Sequence, residues 1–504
     1  MERVTHPPSS TAGAAPAAEG PANPWPALWA LIVGFFMILV DVSIVSIATP
    51  ALMTDFGAPI EDVLWVTSAY LLAYAVPLLI TGRLGDLLGP KRVYLVGLAV
   101  FTASSLACGL ADSIEALVAA RVVQGLGAAM MTPQTMAVIT RTFPVDRRGS
   151  AMALWGAVGG VAFLVGPLLG GILIDSVGWE WIFFINVPVG ILGFVAAVRR
   201  VPSLQTHAHS FDWVGVALSA VGLFCLVFAL QEGEKHDWGT IAGPVSVPLL
   251  LGVGAVLLVV FVWWQSRVQP EPLVPLSLFR DRNFSLANVS ITLMGLAINA
   301  MMFPMLVWLQ VVRGLSPTEA AFVLVPQSIA SIALARPVGR MIDRLHPRIL
   351  PTLGLGGFAV TLFVLVALMT PDSPMWLIVT VVTFIGVTGA LIWGPLATTA
   401  NRNLPLRLAG AGAGVYNTTR QVGSVIGSSA IAALMSARLA AHLGPAAGDM
   451  TVGEGGTAGV GDVPPAVRDG LSAAFRESML LPAGVLVVAA IAAAGLERMR
   501  HARG

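Results

Sequence analysis

Long apolar runs alternate with short polar connections along almost the whole chain. A helix needs about 20 predominantly apolar residues to cross the hydrocarbon core of a membrane, and fourteen runs have roughly that length. The pattern therefore predicts an all-α integral membrane protein. We place its fourteen spans at residues 27–50, 63–82, 92–110, 115–139, 149–173, 181–198, 212–231, 243–265, 284–311, 317–339, 349–369, 375–399, 408–435 and 478–496.

The connections between these runs alternate in charge. Arginine and lysine gather in every second connection, as in residues 83–92 and 141–148, whereas the connections between them are acidic or neutral, as in residues 55–62. Cytoplasmic connections of membrane proteins carry an excess of basic residues. Both termini are therefore predicted to be cytoplasmic. Residues 1–24 are rich in Pro, Ala and Gly and are predicted to be a disordered tail, and the outward connection 436–477 a flexible or hairpin-like loop.

Composition supports the membrane assignment. Of the 504 residues, 56% are hydrophobic and only 11% are charged, whereas soluble domains contain about a quarter charged residues. A net charge of +1 gives no indication of a nucleic-acid partner. The two cysteines, Cys108 and Cys225, lie within separate apolar runs, so neither a disulfide nor a metal site is predicted.

One charged segment occurs twice. Residues Gly82–Arg92 (GRLGDLLGPKR) separate two apolar runs, and Gly339–Arg348 (GRMIDRLHPR) repeat the pattern in the second half. Gly82 and Gly85 would allow two helix ends to approach closely, and Asp86 would lie near helix dipoles. The segment could be an ordinary tight cytoplasmic loop. Its repetition instead favours a duplicated transporter, in which such internal repeats are common.

Asp41 lies within the first apolar run, where a carboxylate costs about 2.5–3.5 kcal/mol on insertion scales. It is either a proton carrier or a structural acid bonded to a neighbouring helix. At a rise of 1.5 Å per residue, Asp41 is about 21 Å from the inner end of its helix and Arg121 about 9 Å from the outer end of the fourth. The two residues thus lie at about the same depth in a core about 30 Å thick, and an ion pair is geometrically allowed. Arg121 could instead donate to backbone carbonyls.

Four motifs resemble those of the major facilitator superfamily. Gly82–Arg92 resembles its signature loop between the second and third helices, and Arg121–Ala129 (RVVQGLGAA) resembles its fourth-helix motif. Gly166–Gly171 (GPLLGG) is similar to the fifth-helix motif of exporters, and Asp41–Pro50 to the first-helix motif of the fourteen-helix drug:proton antiporter branch. The resemblance implies two pseudo-symmetric six-helix bundles, at residues 25–200 and 271–504, with two additional helices at 201–270.

The resemblance and the chemistry of the residues together give a set of candidate sites. Proton coupling is assigned to Asp41 and Arg121. The conformational motif contains Gly82, Arg83, Gly85, Asp86, Gly89, Arg92, Gln124, Gly125, Gly166, Pro167, Gly170 and Gly171. Pro167 is expected to kink the fifth helix, with Gly170 and Gly171 allowing close packing, although it could be an ordinary membrane proline.

Further candidates concern the cargo. Asn417, Arg420 and Gln421 form a polar strip on the thirteenth helix, where they either gate or pack the interface between the bundles or contact substrate. Substrate-lining candidates, which could equally be ordinary packing residues, are Trp65, Tyr70, Tyr74, Asn299, Met302 and Phe303. Asp41 is the only acid deep within a predicted span, which favours a neutral, zwitterionic or monocationic cargo over a polycation.

The sequence therefore predicts a proton-driven antiporter that exports small amphipathic compounds across a bacterial cytoplasmic membrane. It would be a monomer in contact with lipid and would use the proton gradient in place of a cofactor, since no Gly-x-x-x-x-Gly-Lys-Ser/Thr loop for ATP occurs. The same machine could export an endogenous antibiotic, siderophore or lipid precursor. An importer is opposed by the exporter motif, and a membrane enzyme by the absence of a recognisable nucleophile motif or His-x-x-x-His array. A receptor without transport is a further alternative.

Overall fold

The structure, a computed structural model, describes residues 23–58, 60–144, 147–204, 206, 212–233, 235–268, 272–443 and 465–497. Nearly all of the predicted tail, residues 1–22, lies outside this part. The described chain is almost entirely helical. Its helices are α1 Trp25–Phe56, α2 Ile60–Ala75, α3 Leu78–Leu88, α4 Pro90–Gly109, α5 Ile114–Thr142, α6 Arg148–Val177, α7 Trp181–Phe184, α8 Asn186–Arg200, α9 Trp213–Glu232, α10 Val247–Arg267, α11 Arg282–Val307, α12 Pro317–Ile342, α13 Ile349–Leu368, α14 Met375–Ala390, α15 Trp393–Arg402, α16 Ala409–Leu443, α17 Pro465–Ser478 and α18 Leu480–Ala494.

Most of the predicted spans correspond to long apolar helices. Twelve segments of the described chain are long and apolar enough to cross a membrane, and the pair α2 and α3 adds a thirteenth if it counts as one bent span. The bend of 46° occurs at Pro77, which lacks an N–H group for helical hydrogen bonding. In addition, α6 is a continuous helix of 30 residues. The count of fourteen spans remains a prediction.

The helices pack in two groups joined by a helical pair. Helices α1 to α8 pack against one another, as do α11 to α18, and α9 pairs with α10. A short antiparallel pairing of β1 Thr240–Ala242 with β2 Val245–Ser246 links α9 to α10 at one end. At the other end Asp212 accepts hydrogen bonds from the side chains of Trp264 and Gln265, at 3.0 and 2.7 Å. These bonds fix the pairing of α9 with α10.

Helix α9 contacts both groups at once. Leu72 on α2, Val227 on α9 and Val425 on α16 form one buried apolar cluster. Ser429 on α16 also donates to the carbonyl oxygen of Leu230 on α9, at 2.6 Å. The added helical pair is thus attached to both bundles and not only to its own neighbours in sequence.

The two bundles share a hydrophobic core at the arginine-rich face, by which we mean the helix ends next to Arg83, Arg141, Arg148 and Arg340. Buried side chains of α1, α5 and α6 join the core of the second bundle there. Examples are Met136, Phe143 and Trp155, the last of which stacks on Phe35 with ring centroids 4.8 Å apart. The bundles are therefore closed against each other at this face.

Two predicted connections contain helix in the part of the chain that the structure describes. The segment Gly82–Leu88 belongs to α3, so the predicted loop is confined to Gly89, whose φ of 92° is in the region that favours glycine. The predicted flexible or hairpin-like loop over 436–477 is wrong at both ends, because α16 continues to Leu443 and α17 begins at Pro465. Hydropathy does not detect helix at either end, because residues 436–443 and 465–477 contain many polar side chains. Residues 444–464 lie outside the described part.

Gly386 allows a close contact between two helices, and its replacement should therefore destabilise the folded protein. A Cβ atom at Gly386 of α14 would collide with the backbone carbonyl of Gln327 on α12, whereas one at Gly389 would meet no atom of another helix within 4 Å in the described part of the chain. We expect Gly386→Ala to lower the free energy of unfolding by about 1–3 kcal/mol through overpacking. Gly389→Ala on the same helix is the control and should be neutral or slightly stabilising, since alanine favours helices by about 0.5–1 kcal/mol. Denaturant unfolding in detergent measures both, and equal effects would contradict the expectation.

Candidate functional site

Asp41 and Arg121 form an ion pair inside the first bundle. Arg121 Nη1 lies 2.5 Å from Asp41 Oδ2, and both side chains are 0% exposed. The contact joins α1 to α5 and agrees with the equal depth calculated from the helix rise. Since a buried charge is costly unless it is paired and hydrogen-bonded, each residue stabilises the ionised form of the other.

Two amides complete the surroundings of Asp41. Gln124 Nε2 donates to Asp41 Oδ1 at 2.9 Å, and Asn186 Nδ2 donates to the same oxygen at 3.3 Å. Asn186 is held in turn by Ser105 Oγ, at 3.0 Å. Four helices, α1, α4, α5 and α8, thus meet at one carboxylate, and both of its oxygens accept hydrogen bonds.

Asn186 and Ser105 were missed by the sequence analysis. A signal was nevertheless present, because Asn186 is a polar residue within the apolar run 181–198. Gln124 was assigned to the conformational motif, yet the structure places it on the candidate proton site.

Arg121 is held on several sides. Its Nε donates to the carbonyl oxygen of Val66 at 3.0 Å, and Nη1 also donates to Gln124 Oε1 at 2.7 Å. Its guanidinium carbon lies 4.1 Å from the ring centre of Tyr70, a cation–π contact. Within the described chain, Nη2 of Arg121 and the hydroxyl of Tyr70 are buried without a hydrogen-bond partner. The arginine is thus both an ion-pair partner and a donor to a backbone carbonyl, the two roles that the sequence left open.

Asp86 makes a second charged contact, which joins the two bundles. Its carboxylate oxygens accept from the backbone N–H groups of Gly410 and Ala411, both at 2.9 Å. These residues begin α16, where the free N–H groups and the helix dipole attract a negative charge. Arg83 and Arg141 lie near Asp86 and add positive charge. We call the contact of Asp86 with Gly410 and Ala411 the latch.

Glycines bring the helices of the latch together. A Cβ atom at Gly82 would lie 2.6 Å from the carbonyl oxygen of Gly410 and 2.8 Å from the Cα atom of Gly414. Any side chain there would separate α3 from α16 and lengthen the hydrogen bonds of Asp86. Gly85 packs in the same way against the side chain of Gln134 on α5, whereas Arg92 is exposed.

The repeated segment makes the corresponding contact in the opposite direction. Asp343, at the end of α12, accepts from the backbone N–H of Gly149 at the start of α6, at 3.1 Å. Gly339 packs against Ser150. Each bundle therefore contributes an aspartate to the beginning of a helix in the other bundle, and both contacts lie at the arginine-rich face.

The other motif glycines have different surroundings. A Cβ atom at Gly125 would lie 2.5 Å from the backbone carbonyl oxygen of Tyr70, so this glycine allows a close helix contact. Gly166 packs against Ser43 of α1, and Gly170 packs against Ile44 of the same helix. Among the described residues, no atom of a neighbouring helix lies within 4 Å of a Cβ position at Gly171, so its predicted role in close packing is wrong. The side chain of Pro167 lies outside the described part, and the kink remains a prediction.

The gating candidates lie on α16. Asn417 and Gln421 are buried and Arg420 is half-buried. Asn417 Nδ2 donates to the carbonyl oxygen of Ala413 at 2.9 Å. Across the described residues the Arg420 guanidinium has no ion-pair or hydrogen-bond partner, and its Nε is enclosed by protein.

The predicted lining residues are scattered in this conformation. Tyr70 and Tyr74 are buried within the first bundle, where the Tyr74 hydroxyl donates to Thr132 Oγ1 at 3.2 Å. Trp65 packs on Phe228 of α9, with ring centroids 5.8 Å apart. Two of the remaining candidates, Asn299 and Phe303, are exposed and Met302 is half-buried. The structure does not bring the six together around one cavity, and their contact with cargo remains a prediction. No three His, Cys, Asp or Glu side chains of the described chain could hold a metal ion.

Comparisons with known proteins agree with this architecture. The family model described as the Major Facilitator Superfamily matches residues 31–428. An uncharacterised MFS-type transporter of Mycobacterium tuberculosis is 49% identical over 94% of this chain and 80% of its own length. The tetracenomycin C resistance and export protein of Streptomyces glaucescens is 34% identical over 87% of this chain and 81% of its own.

A solved structure shows the same fold at low sequence identity. The proton:xylose symporter XylE, bound to 6-bromo-6-deoxy-D-glucose, aligns over 93% of this chain and 94% of its own, with a TM-score of 0.62 and 13% identity. The chain is therefore a multi-pass membrane transporter and not an enzyme, and it belongs to the major facilitator superfamily.

Proposed function

We propose that the protein is a proton-coupled antiporter that exports small amphipathic compounds across a bacterial cytoplasmic membrane by alternating access. The observation that carries this proposal is the fully buried pair of Asp41 and Arg121, with Gln124 and Asn186 on the same carboxylate. A carboxylate within a membrane span is a functional group by default. The export direction is supported by the Gly166–Gly171 motif and by the relative named for resistance and export.

The proposed cycle begins with protonation of Asp41 from the outside. The proton removes the negative charge that Arg121 faces, so the contact between α1 and α5 weakens. Release of the proton to the inside, together with binding of cargo, restores the ion pair. The arginine-rich face would be cytoplasmic, and its closed state would expose the cargo site to the outside.

Contacts on α1 and α6 offer a route from the proton site to the bundle interface. Two residues beyond Asp41, Ser43 Oγ donates to the carbonyl oxygen of Ala162 on α6, at 3.4 Å. The first residues of α6 in turn carry the contact of Gly149 with Asp343. A shift of α1 on protonation would thus move the helix that is bonded to the other bundle.

Proton flux in inverted membrane vesicles tests the proposal. A pH-sensitive dye reports proton movement as members of a panel of dyes and antibiotics are added. We expect Asp41→Asn to abolish substrate-induced proton movement, since asparagine cannot carry a proton. The matched control is Asp55→Asn on the same helix, because Asp55 is exposed and contacts only Trp179 among the described residues. Unchanged proton movement in Asp41→Asn would exclude Asp41 as the carrier.

An endogenous metabolite is the second candidate for the cargo. It is favoured by the similarity to a protein named for the export of one antibiotic, tetracenomycin C. If no compound of the panel evokes proton movement in the wild type, this alternative replaces the drug exporter. Deletion of the gene should then cause one native amphipathic metabolite to accumulate inside the cells, as measured by comparing extracts with those of the parent strain.

A further inference from the structure

Arg420 is a half-buried cation without a counter-ion in the described chain. Its side chain is half-buried on α16, and Nε is enclosed by protein without a hydrogen-bond partner. Since α16 begins at Ala409, Arg420 lies about 16 Å along the helix, near the middle of a membrane core about 30 Å thick. An arginine at this depth is costly unless it binds an anion or reaches water.

No acid of the described chain is available to neutralise Arg420. Helix α16 contains no Asp or Glu, and neither does α11, which packs along it. Of the acids on the other neighbours of α16, Asp86 is held by the latch, Glu232 faces His236, and Glu477 faces Arg438 and His442. Asp62, Glu115 and Asp469 lie within the first five residues of α2, α5 and α17, away from mid-span. Asp41 is already neutralised by Arg121.

Two further unsatisfied polar groups lie on the same face of α16 as Arg420. On a helix, residues three and four positions apart share a face, and Asn417 and Tyr416 precede Arg420 by these spacings. Both are fully buried, and the Tyr416 hydroxyl and Asn417 Oδ1 have no hydrogen-bond partner in the described chain. Arg420 is close enough to Tyr416 to act on its hydroxyl electrostatically. Buried polar groups of native proteins are usually hydrogen-bonded, so these three residues point to a ligand that supplies the missing partners.

We propose that Arg420 and the Tyr416 hydroxyl bind the anionic group of the cargo, with Asn417 Oδ1 accepting from a hydroxyl or N–H of the same molecule. The transported class is then a monoanionic amphiphile, such as an aromatic carboxylate, and not the neutral, zwitterionic or monocationic compound that the count of acids favoured. This inference rests on the proposed function of export, but the site it assigns is one of equilibrium binding. It therefore stands or fails separately from proton coupling.

Binding of a matched pair of fluorescent probes tests this inference. The probes are 2-anthracenecarboxylate and its methyl ester, titrated into the purified full-length protein in detergent at neutral pH. We expect the wild type to bind the acid at least about tenfold more tightly than the ester, because one charge-assisted hydrogen bond is sufficient for that ratio. Arg420→Gln should reduce the ratio to about one, and Arg420→Lys should retain part of it.

The control is Arg336→Gln, which removes an equal charge from an exposed position on α12 and should keep the wild-type ratio. Equal affinity of the wild type for the acid and the ester would overturn the proposal. The absence of measurable binding of either probe to the wild type would overturn it as well. An unchanged ratio in Arg420→Gln would also overturn it.

A lipid headgroup could supply the same anion. Titrations in nanodiscs with and without phosphatidylglycerol distinguish the two sources. Displacement of the acid by phosphatidylglycerol in the wild type, but not in Arg420→Gln, would support the site with lipid as its anion. Undiminished binding in the presence of this lipid would support the site with cargo as its anion.

Discussion

Replacement of Arg121 by methionine is expected to lower the free energy of unfolding by about 3–5 kcal/mol. The substitution leaves the Asp41 carboxylate fully buried without its cation, and an unpaired buried charge is among the most destabilising changes known in proteins. It also removes the hydrogen bond to the carbonyl oxygen of Val66. Denaturant unfolding in detergent, followed by tryptophan fluorescence, measures the loss.

Two variants separate the effect of charge from that of packing. Combining Arg121→Met with Asp41→Asn removes both charges and should recover most of the lost stability, whereas Arg336→Met removes an exposed arginine and should change little. A loss below about 1 kcal/mol in Arg121→Met would mean that Asp41 is neutral in the folded protein or reaches water when its partner is gone. A double variant as unstable as Arg121→Met would assign the loss to packing and to the bond with Val66.

Replacement of Asp86 by alanine is expected to open the arginine-rich face. The substitution removes two charge-assisted hydrogen bonds to the start of α16, each contributing about 1.5–3 kcal/mol. If the closed state alone loses about 3–6 kcal/mol of stabilisation, the ratio of closed to open molecules falls by at least about a hundredfold. Spin labels at Leu88→Cys and Leu406→Cys, both exposed and on opposite bundles, should report a longer distance.

Two substitutions serve as comparisons for Asp86→Ala. Asp343→Ala removes the corresponding contact with Gly149 and should shift the label distance in the same direction. Asp62→Ala removes an exposed acid at the opposite end of the first bundle and should leave the distance unchanged. An unchanged distance in Asp86→Ala would show that packing, and not the latch, keeps the face closed.

Much of the architecture could be predicted because the thickness of a membrane fixes the length of an apolar run. The same constraint made the pairing of Asp41 with Arg121 foreseeable, since helix rise converts sequence position into depth. The bend between α2 and α3 was not foreseen, although its cause, Pro77, is visible in the sequence. Hydropathy reports length and polarity but not whether a proline within a run breaks the helix.

Contacts that depend on helix rotation and on distant sequence positions could not be predicted. Asn186 reaches Asp41 only because of the way α8 is rotated in the bundle. The latch joins Asp86 to Gly410 across most of the chain, and no local pattern indicates that pairing. The helical state of Gly82–Leu88 was missed for a different reason: glycines and charges are typical of loops in isolation, while here close packing against α16 stabilises the helix.

The hydrogen bonding of Asp41 has a kinetic consequence. The carboxylate accepts three hydrogen bonds from side chains packed around it and has no exposed surface, so an arriving proton can reach it only after the surrounding side chains have moved apart. Exchange with either side of the membrane is therefore limited by a rearrangement of helices and not by diffusion of the proton. With Asp41 as the proposed proton carrier, the idle transporter would not dissipate the gradient, because in this conformation the carboxylate is inaccessible from both compartments.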